Sequence, residues 1–338
     1  MSTRVKRRVI ASGFVTMLLA WIVAWVWERA TAKKLQAYTE NPAPDYESAL
    51  ARFAEMQSRE VANPQLNPLC RSKLLTHGRK VENVIVLIHG MTNCPHQYEQ
   101  FAPLFYERGY NVLIPRAPHN GLLDRETKDL RHLTASELRD TCSRIVDIAR
   151  GLGEHITYAG LSVGGVMAAW VAQNRPDVDR AVVISPAFTI DRHLGVIASR
   201  LVMYLLFLLP NLMTQRFRPF KGGPPYNYLG FATRGLAHTM RLGFSVYDTA
   251  RKTAPAARSV LVITNAADPS ISNAVTQHLI GRWTTRKPTA VSVYEFEAQH
   301  HYIHDLIDPL QSQQHTAQIY PVLFDLITAE LRTIQPSP

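Results

Sequence analysis

A chain of 338 residues has room for one large domain and an appendage, so core size sets no limit on its fold. Its composition, 46% hydrophobic and 19% charged, excludes an intrinsically disordered protein. The net charge of +10 would suit a nucleic-acid binder, but residues 1–34 hold seven Lys/Arg against one acid. The rest of the chain has no basic stripe interleaved with aromatics, so no nucleic-acid partner is expected.

The early charge brackets residues 9–27 (VIASGFVTMLLAWIVAWVW), which contain no charged side chain. At about 1.5 Å per residue such a run crosses a bilayer as a helix. Trp21, Trp25 and Trp27 crowd its far end, as an interfacial aromatic belt does. Arg4, Lys6, Arg7 and Arg8 precede it, which predicts a cytoplasmic N-terminus and an exported body, although Arg29, Lys33 and Lys34 narrow the margin. The rival is a signal peptide cut near Ala30-Thr31-Ala32, giving a secreted or periplasmic product. Its apolar region would exceed the usual length of about 7–15 residues. We therefore expect residues 1–34 to be an uncleaved single-pass anchor, with the membrane as a partner through residues 9–27.

Residues 35–69 read as a stalk. Within it, Asn41-Pro42-Ala43-Pro44 breaks the chain, and residues 45–60 (DYESALARFAEMQSRE) combine a capping aspartate with helical spacing of apolar side chains. Pro64 and Pro68 mark a second joint before the body, residues 70–335. The three cysteines do not make a disulfide scaffold. An exported body permits one bridge, for which Cys70 and Cys94 are the candidates because they flank the first core strand. Cys142 falls in a helical stretch and suits a small buried hydrophobe. Three free thiols are the alternative.

From residue 84 strands alternate with helices. Residues 84–88 (VIVLI) form an apolar strand ending at His89-Gly90-Met91, residues 97–108 a helix, and residues 112–115 the next strand. Residues 134–151 form a helix opened by a capping box of Thr134 and Glu137. A strand at 156–158, a helix at 166–173 and strands at 181–185, 260–264 and 291–296 complete the pattern. Apolar strands in this rhythm predict a mostly parallel sheet with helices on both faces. The rhythm stops between about 186 and 258. There, residues 194–213 (LGVIASRLVMYLLFLLPNLM) are apolar but interrupted by Arg200 and Pro210. A second membrane span would place that charge in the bilayer at a cost of roughly 2.5–3.5 kcal/mol. A helical lid, facing a greasy substrate or the membrane surface, fits better.

The chemistry centres on residues 156–165 (ITYAGLSVGG). A strand, the turn Gly160-Leu161-Ser162-Val163-Gly164 and an Ala-rich helix make a nucleophile elbow. The turn is so tight that only small neighbours fit, hence Gly160 and Gly164. It holds the Ser162 hydroxyl at a helix N-terminus, where backbone N–H groups steady negative charge. A serine needs a base, and the base an orienting group. Asp268 follows the strand at 260–264, and His300, His301 and His304 follow the strand at 291–296, with the loop alone leaving the choice of histidine open. For an oxyanion hole, a backbone N–H at His89-Gly90-Met91 is placed after the first core strand, and Val163 supplies a second. No H-E-x-x-H and no cysteine pair at ligand spacing accompanies His300, His301, His304 and Asp305, so no metal or other cofactor is expected.

Residues 70–331 resemble the serine α/β-hydrolases, specifically bacterial relatives of monoacylglycerol lipases, lysophospholipases and carboxylesterases. The resemblance rests on VIVLIHGMTNCP (84–95), NVLIPRAPHNG (111–121), GLSVGG (160–165), NAADPSIS (265–272) and HDLIDP (304–309). It implies an α/β-hydrolase fold with a lid insertion at about 186–258, behind the N-terminal transmembrane helix. It also implies Ser162 as nucleophile, Asp268 as acid, His304 of the His-Asp pair as base, and Met91 and Val163 as oxyanion donors. His119-Asn120-Gly121 stands where monoacylglycerol lipases usually carry Gly-His-Gly. The implied activity is hydrolysis of carboxylic esters through an acyl-enzyme on Ser162, and the apolar insertion and the anchor favour a lipid-like acyl chain. The alternatives are an acyltransferase with the same triad and a binding protein on the same fold, the latter disfavoured by the complete triad.

Overall fold

The computed structural model describes residues 33–216 and 223–329. The expected anchor, residues 9–27, lies outside them. Met1–Ala37 and Tyr38–Pro338 form separate units, and the architecture that follows belongs to the second.

Among the described residues seven strands form one sheet in the order β1-β3-β2-β4-β5-β6-β7. They are β1 (Lys73–Leu75), β2 (Val81–Ile88), β3 (Asn111–Ile114), β4 (Gly153–Leu161), β5 (Arg180–Ile184), β6 (Ser259–Asn265) and β7 (Val291–Phe296). Only the β1–β3 pair is antiparallel. The central parallel strands β5 and β6 are buried apolar runs, because helices cover both of their faces, whereas the edge strand β7 is only half-buried. Side chains alternate across each strand. Ile85, Leu87, Val182, Ile184, Leu261 and Ile263 thus share a face with Phe101, Phe105, Tyr320 and Leu323, which belong to α2 (Ala102–Glu107), the turn before it, and α8 (Thr316–Thr328). On the opposite face lie α3 (Ala135–Leu152) and α4 (Val163–Asn174), with α6 (Thr233–Thr249) packed over both. At the far edge α7 (Asn273–Arg286) contacts β6 and β7.

Several expectations need correction. The strand β1 was not legible, because three half-buried residues give no usable alternation. The helix expected over 97–108 is a 3-10 turn at Pro95–Tyr98 followed by the short α2, in whose first turn Pro103 sits. Proline cannot donate to a preceding turn, so the helix starts there. The stalk expected over 35–69 is packed for much of its length. Its helix, α1 (Tyr46–Val61), capped by Asp45 as expected, buries Ala49 and Phe53 and lies on α3. Gly151 permits the approach, since a Cβ there would lie 2.3 Å from the Asp45 carbonyl oxygen.

The insertion also divides. Its second helix, α6, is part of the core layer, with Leu236, Met240 and Phe244 buried, rather than part of a lid. Its first helix, α5 (Val196–Leu208), packs on α6 and leaves Ile197, Leu201, Leu205 and Leu208 exposed. Arg200, the charge in the apolar run, is bidentate with Asp248 at 2.9 Å per bond. Among the described residues no helix is long and apolar enough to cross a membrane.

Of the two open readings the candidate pair holds: Cys70 and Cys94 form a disulfide, and both side chains are fully buried beside Tyr226. Cys142 is free and buried, its thiol pushed up to about 12 by burial, so it is inert. The bridge closes a loop of 24 positions, worth about 3.5 kcal/mol of denatured-state entropy. Cys70→Ser with Cys94→Ser should lower the unfolding free energy by about that amount in chemical denaturation. An unchanged midpoint would show that the loop contributes nothing.

Candidate active site

The turn after β4 has the geometry the glycines suggested. Ser162 adopts φ +61° and ψ −112°, a region a side chain occupies only at a cost of order 1–3 kcal/mol. Backbone bonds hold it there: the Ser162 N–H donates to the Ile184 carbonyl at 3.0 Å, and its own carbonyl accepts from Val166 and Ala187 at 3.0 and 3.1 Å. A Cβ on Gly160 would lie 2.1 Å from the Gly164 carbonyl oxygen, and one on Gly164 would lie 2.2 Å from that of Ile88. Neither position can carry a side chain without moving the turn.

Ser162, Asp268 and His304 follow β4, β6 and β7 respectively, at the carboxyl edge of the parallel sheet where α/β sites form. Asp268 is buried and its Oδ2 lies 2.7 Å from His304 Nδ1. Its other oxygen accepts the N–H groups of Ser270 and Ile271 at 2.8 and 3.2 Å. Burial opposes its charge, but His304 and these donors outweigh burial and hold the carboxyl below its ordinary range. For His304, burial alone would disfavour the imidazolium, yet the charge and hydrogen bond of Asp268 raise it above its ordinary value. With Nδ1 committed to Asp268, Nε2 is the nitrogen that can accept a proton. Ser162 Oγ and His304 form no hydrogen bond with each other in this state, a contact that often tightens only when substrate binds.

The other two histidines are placed elsewhere. Both are exposed; His300 stacks on Tyr302, and His301 closes the turn with φ +50°.

The loop after β2 lies against the serine. A Cβ on Gly90 would be 3.7 Å from that of Ser162. His89 is fully buried and pushed down to about 4 by that burial, so it stays neutral. Its Nδ1–H donates to the Gly90 carbonyl at 2.8 Å and its Nε2 accepts the Ala117 N–H at 3.0 Å. Asn120 accounts for the His-Asn-Gly departure: its amide donates to the carbonyls of Met91 and Asn93 and holds the loop from outside. Among the described residues neither the Met91 nor the Val163 N–H has a hydrogen bond, as donors reserved for an anion require. No group of His, Cys, Asp and Glu suited to a metal occurs among the described residues. Asn93, Gln97 and Asn120 were missed as site residues, because isolated polar side chains in loops carry no periodic signal.

A mostly parallel sheet with a strained serine after a central strand, and an Asp–His pair beyond later strands, defines the class of α/β folds built on a nucleophile elbow. The chain belongs to the alpha/beta hydrolase family, whose family model matches residues 85–310. It is 27% identical over 112 residues to the thermostable monoacylglycerol lipase of Bacillus sp. (strain H-257), spanning 31% of this chain and 41% of that one. It is 35% identical over 94 residues to the pyrethroid hydrolase of Sphingobium wenxiniae, spanning 28% of this chain and 31% of that one. Each match thus covers less than half of the relative. Among solved structures, the monoacylglycerol lipase of Paleococcus ferrophilus superposes with a TM-score of 0.55 over 76% of this chain and 97% of its own, at 16% identity.

Proposed function

We propose that this protein is a serine hydrolase of carboxylic esters with lipid-like acyl chains, monoacylglycerols or lysophospholipids in type. The Asp268–His304 contact at 2.7 Å, joined to the strained turn that presents Ser162, carries this assignment. Ser162 attacks the ester carbonyl as His304 takes its proton, and Asp268 keeps the imidazole in the required tautomer and stabilises its positive form. The N–H groups of Met91 and Val163 receive the oxyanion, each worth about 2.7–4 kcal/mol in the transition state. His304 then protonates the leaving alcohol, and water, deprotonated by the same histidine, releases the acid.

The lipid-like substrate is supported by the exposed leucines of α5 and by the name of the Bacillus monoacylglycerol lipase that the chain resembles. We place the body outside the cytoplasm, attached through residues 9–27. The Cys70–Cys94 disulfide suits such an oxidising compartment.

A p-nitrophenyl ester series and a fluorophosphonate probe, applied to membrane and soluble fractions, test these points together. Octanoate or longer should be preferred over acetate, and the labelled protein should sediment with membranes. Strong preference for acetate would remove the lipid-like substrate, labelled protein in the soluble fraction would remove the anchor, and an unlabelled protein would remove the activity itself.

A further inference from the structure

The turn after β7 carries an acid directly behind the proposed base. Asp305 Oδ1 accepts the N–H groups of Ile307 and Asp308 at 3.1 and 3.0 Å, as a turn-forming aspartate does. Its remaining bonds are not explained by the turn. Oδ1 also accepts from Gln97 Nε2 at 2.8 Å, and Oδ2 accepts from Asn93 Nδ2 at 3.3 Å and from Gln311 Nε2 at 2.9 Å. Asn93 and Gln97 belong to the loop after β2, and are 212 and 208 positions from Asp305 in the chain.

Gln97 transmits the contact. It is 1% exposed, and its Oε1 accepts the Gly90 N–H at 3.1 Å. An amide presents one donating and one accepting end. With the NH₂ end fixed by Asp305, the carbonyl end must face Gly90. The Gly90 N–H is thereby committed, and the next one along the loop, that of Met91, is the one left for an oxyanion.

Resting on the Ser162–His304 assignment above, we propose that Asp305 is a positioning residue: through Gln97 it sets the Gly90–Met91 peptide and holds the oxyanion donor in register with the adjacent His304. One carboxylate then places both halves of the chemistry, the group that takes the proton and the group that receives the negative charge. Displacement of such a donor by a fraction of an ångström weakens it only in the transition state, where the charge exists.

Two variants test this. Asp305→Asn sets an amide NH₂ against donors that now meet an oxygen, whichever way it is turned. Gln97→Met, close in shape, cuts the relay while leaving the Asp305 turn intact. Both should lose about 10–100-fold in kcat with KM held within about threefold. Affinity for an alkyl boronic acid, whose serine adduct places an oxygen in the oxyanion hole, should fall in parallel with kcat/KM. Thermal melts verify folding, and if Asp305→Asn fails to fold, Gln97→Met alone decides. Unchanged kcat in folded Gln97→Met, or a raised KM with unchanged boronic acid affinity, would overturn the proposal. A wild-type protein that does not react with fluorophosphonate would overturn the hydrolase assignment and this proposal together, whereas reactive wild type with fully active variants would overturn this one alone.

Discussion

Ser162→Ala and His304→Ala should each lower kcat by about 10⁴–10⁶-fold, and the double variant should be no slower than the worse single. The hydroxyl is a nucleophile only while a base removes its proton, and the base has no task once the hydroxyl is gone. The two losses therefore overlap rather than multiply. What remains, about 10³-fold over water, comes from substrate binding and the donors at Met91 and Val163. Single-turnover kinetics with a p-nitrophenyl ester measures all three variants. Losses that multiply in the double variant would mean that Ser162 and His304 do not act as one unit, and the proposed mechanism would fail even if each single variant were slow.

Asp268→Asn should cost about 10³–10⁴-fold in kcat, with a change in pH dependence that no loss of folding would produce. As a base, His304 acts only when neutral, so kcat/KM of the wild type should rise with pH through a value above the ordinary histidine one. Burial favours the neutral ring, while the carboxylate of Asp268 raises the ring's proton affinity by its charge and its 2.7 Å bond. Without that charge, burial is opposed only by the charge of Asp305. The acid limb should then move to lower pH while the plateau falls, since an asparagine can also stabilise the unproductive tautomer. A pH profile of kcat/KM on the folded variant reads both effects. A limb that stays in place would show that Asp268 does not set the proton affinity of His304.

The parts of the fold that could be read from the sequence were those set by local pattern. The apolar runs of β2, β5 and β6 are strands covered on both faces, the capping box of Thr134 and Glu137 starts α3, and Asp45 caps α1. Elements whose identity depends on a neighbour were misread. Alone, α1 is an amphipathic helix that could belong to a stalk, and only Gly151 of α3 reveals where its apolar face goes. Similarly, α6 reads as part of an insertion because its hydrophobic spacing does not say which helices it covers.

The same division runs through the site. By itself the sequence showed the elbow, because the clash that Gly160 avoids is with Gly164 in the same turn, whereas the close approach of Gly164 to Ile88 belongs to the tertiary structure. It also placed an acid and a histidine cluster after the right strands, and it named the Cys70–Cys94 pair. The loop pattern left His300, His301 and His304 open and only the resemblance pointed to His304; the tertiary structure shows that His304 meets Asp268, since the packing of that one short loop distinguishes a shielded ring from two exposed ones. Tertiary structure alone joined Asp305 to Gln97, because that hydrogen bond depends on distance and direction between residues 208 positions apart that share no pattern.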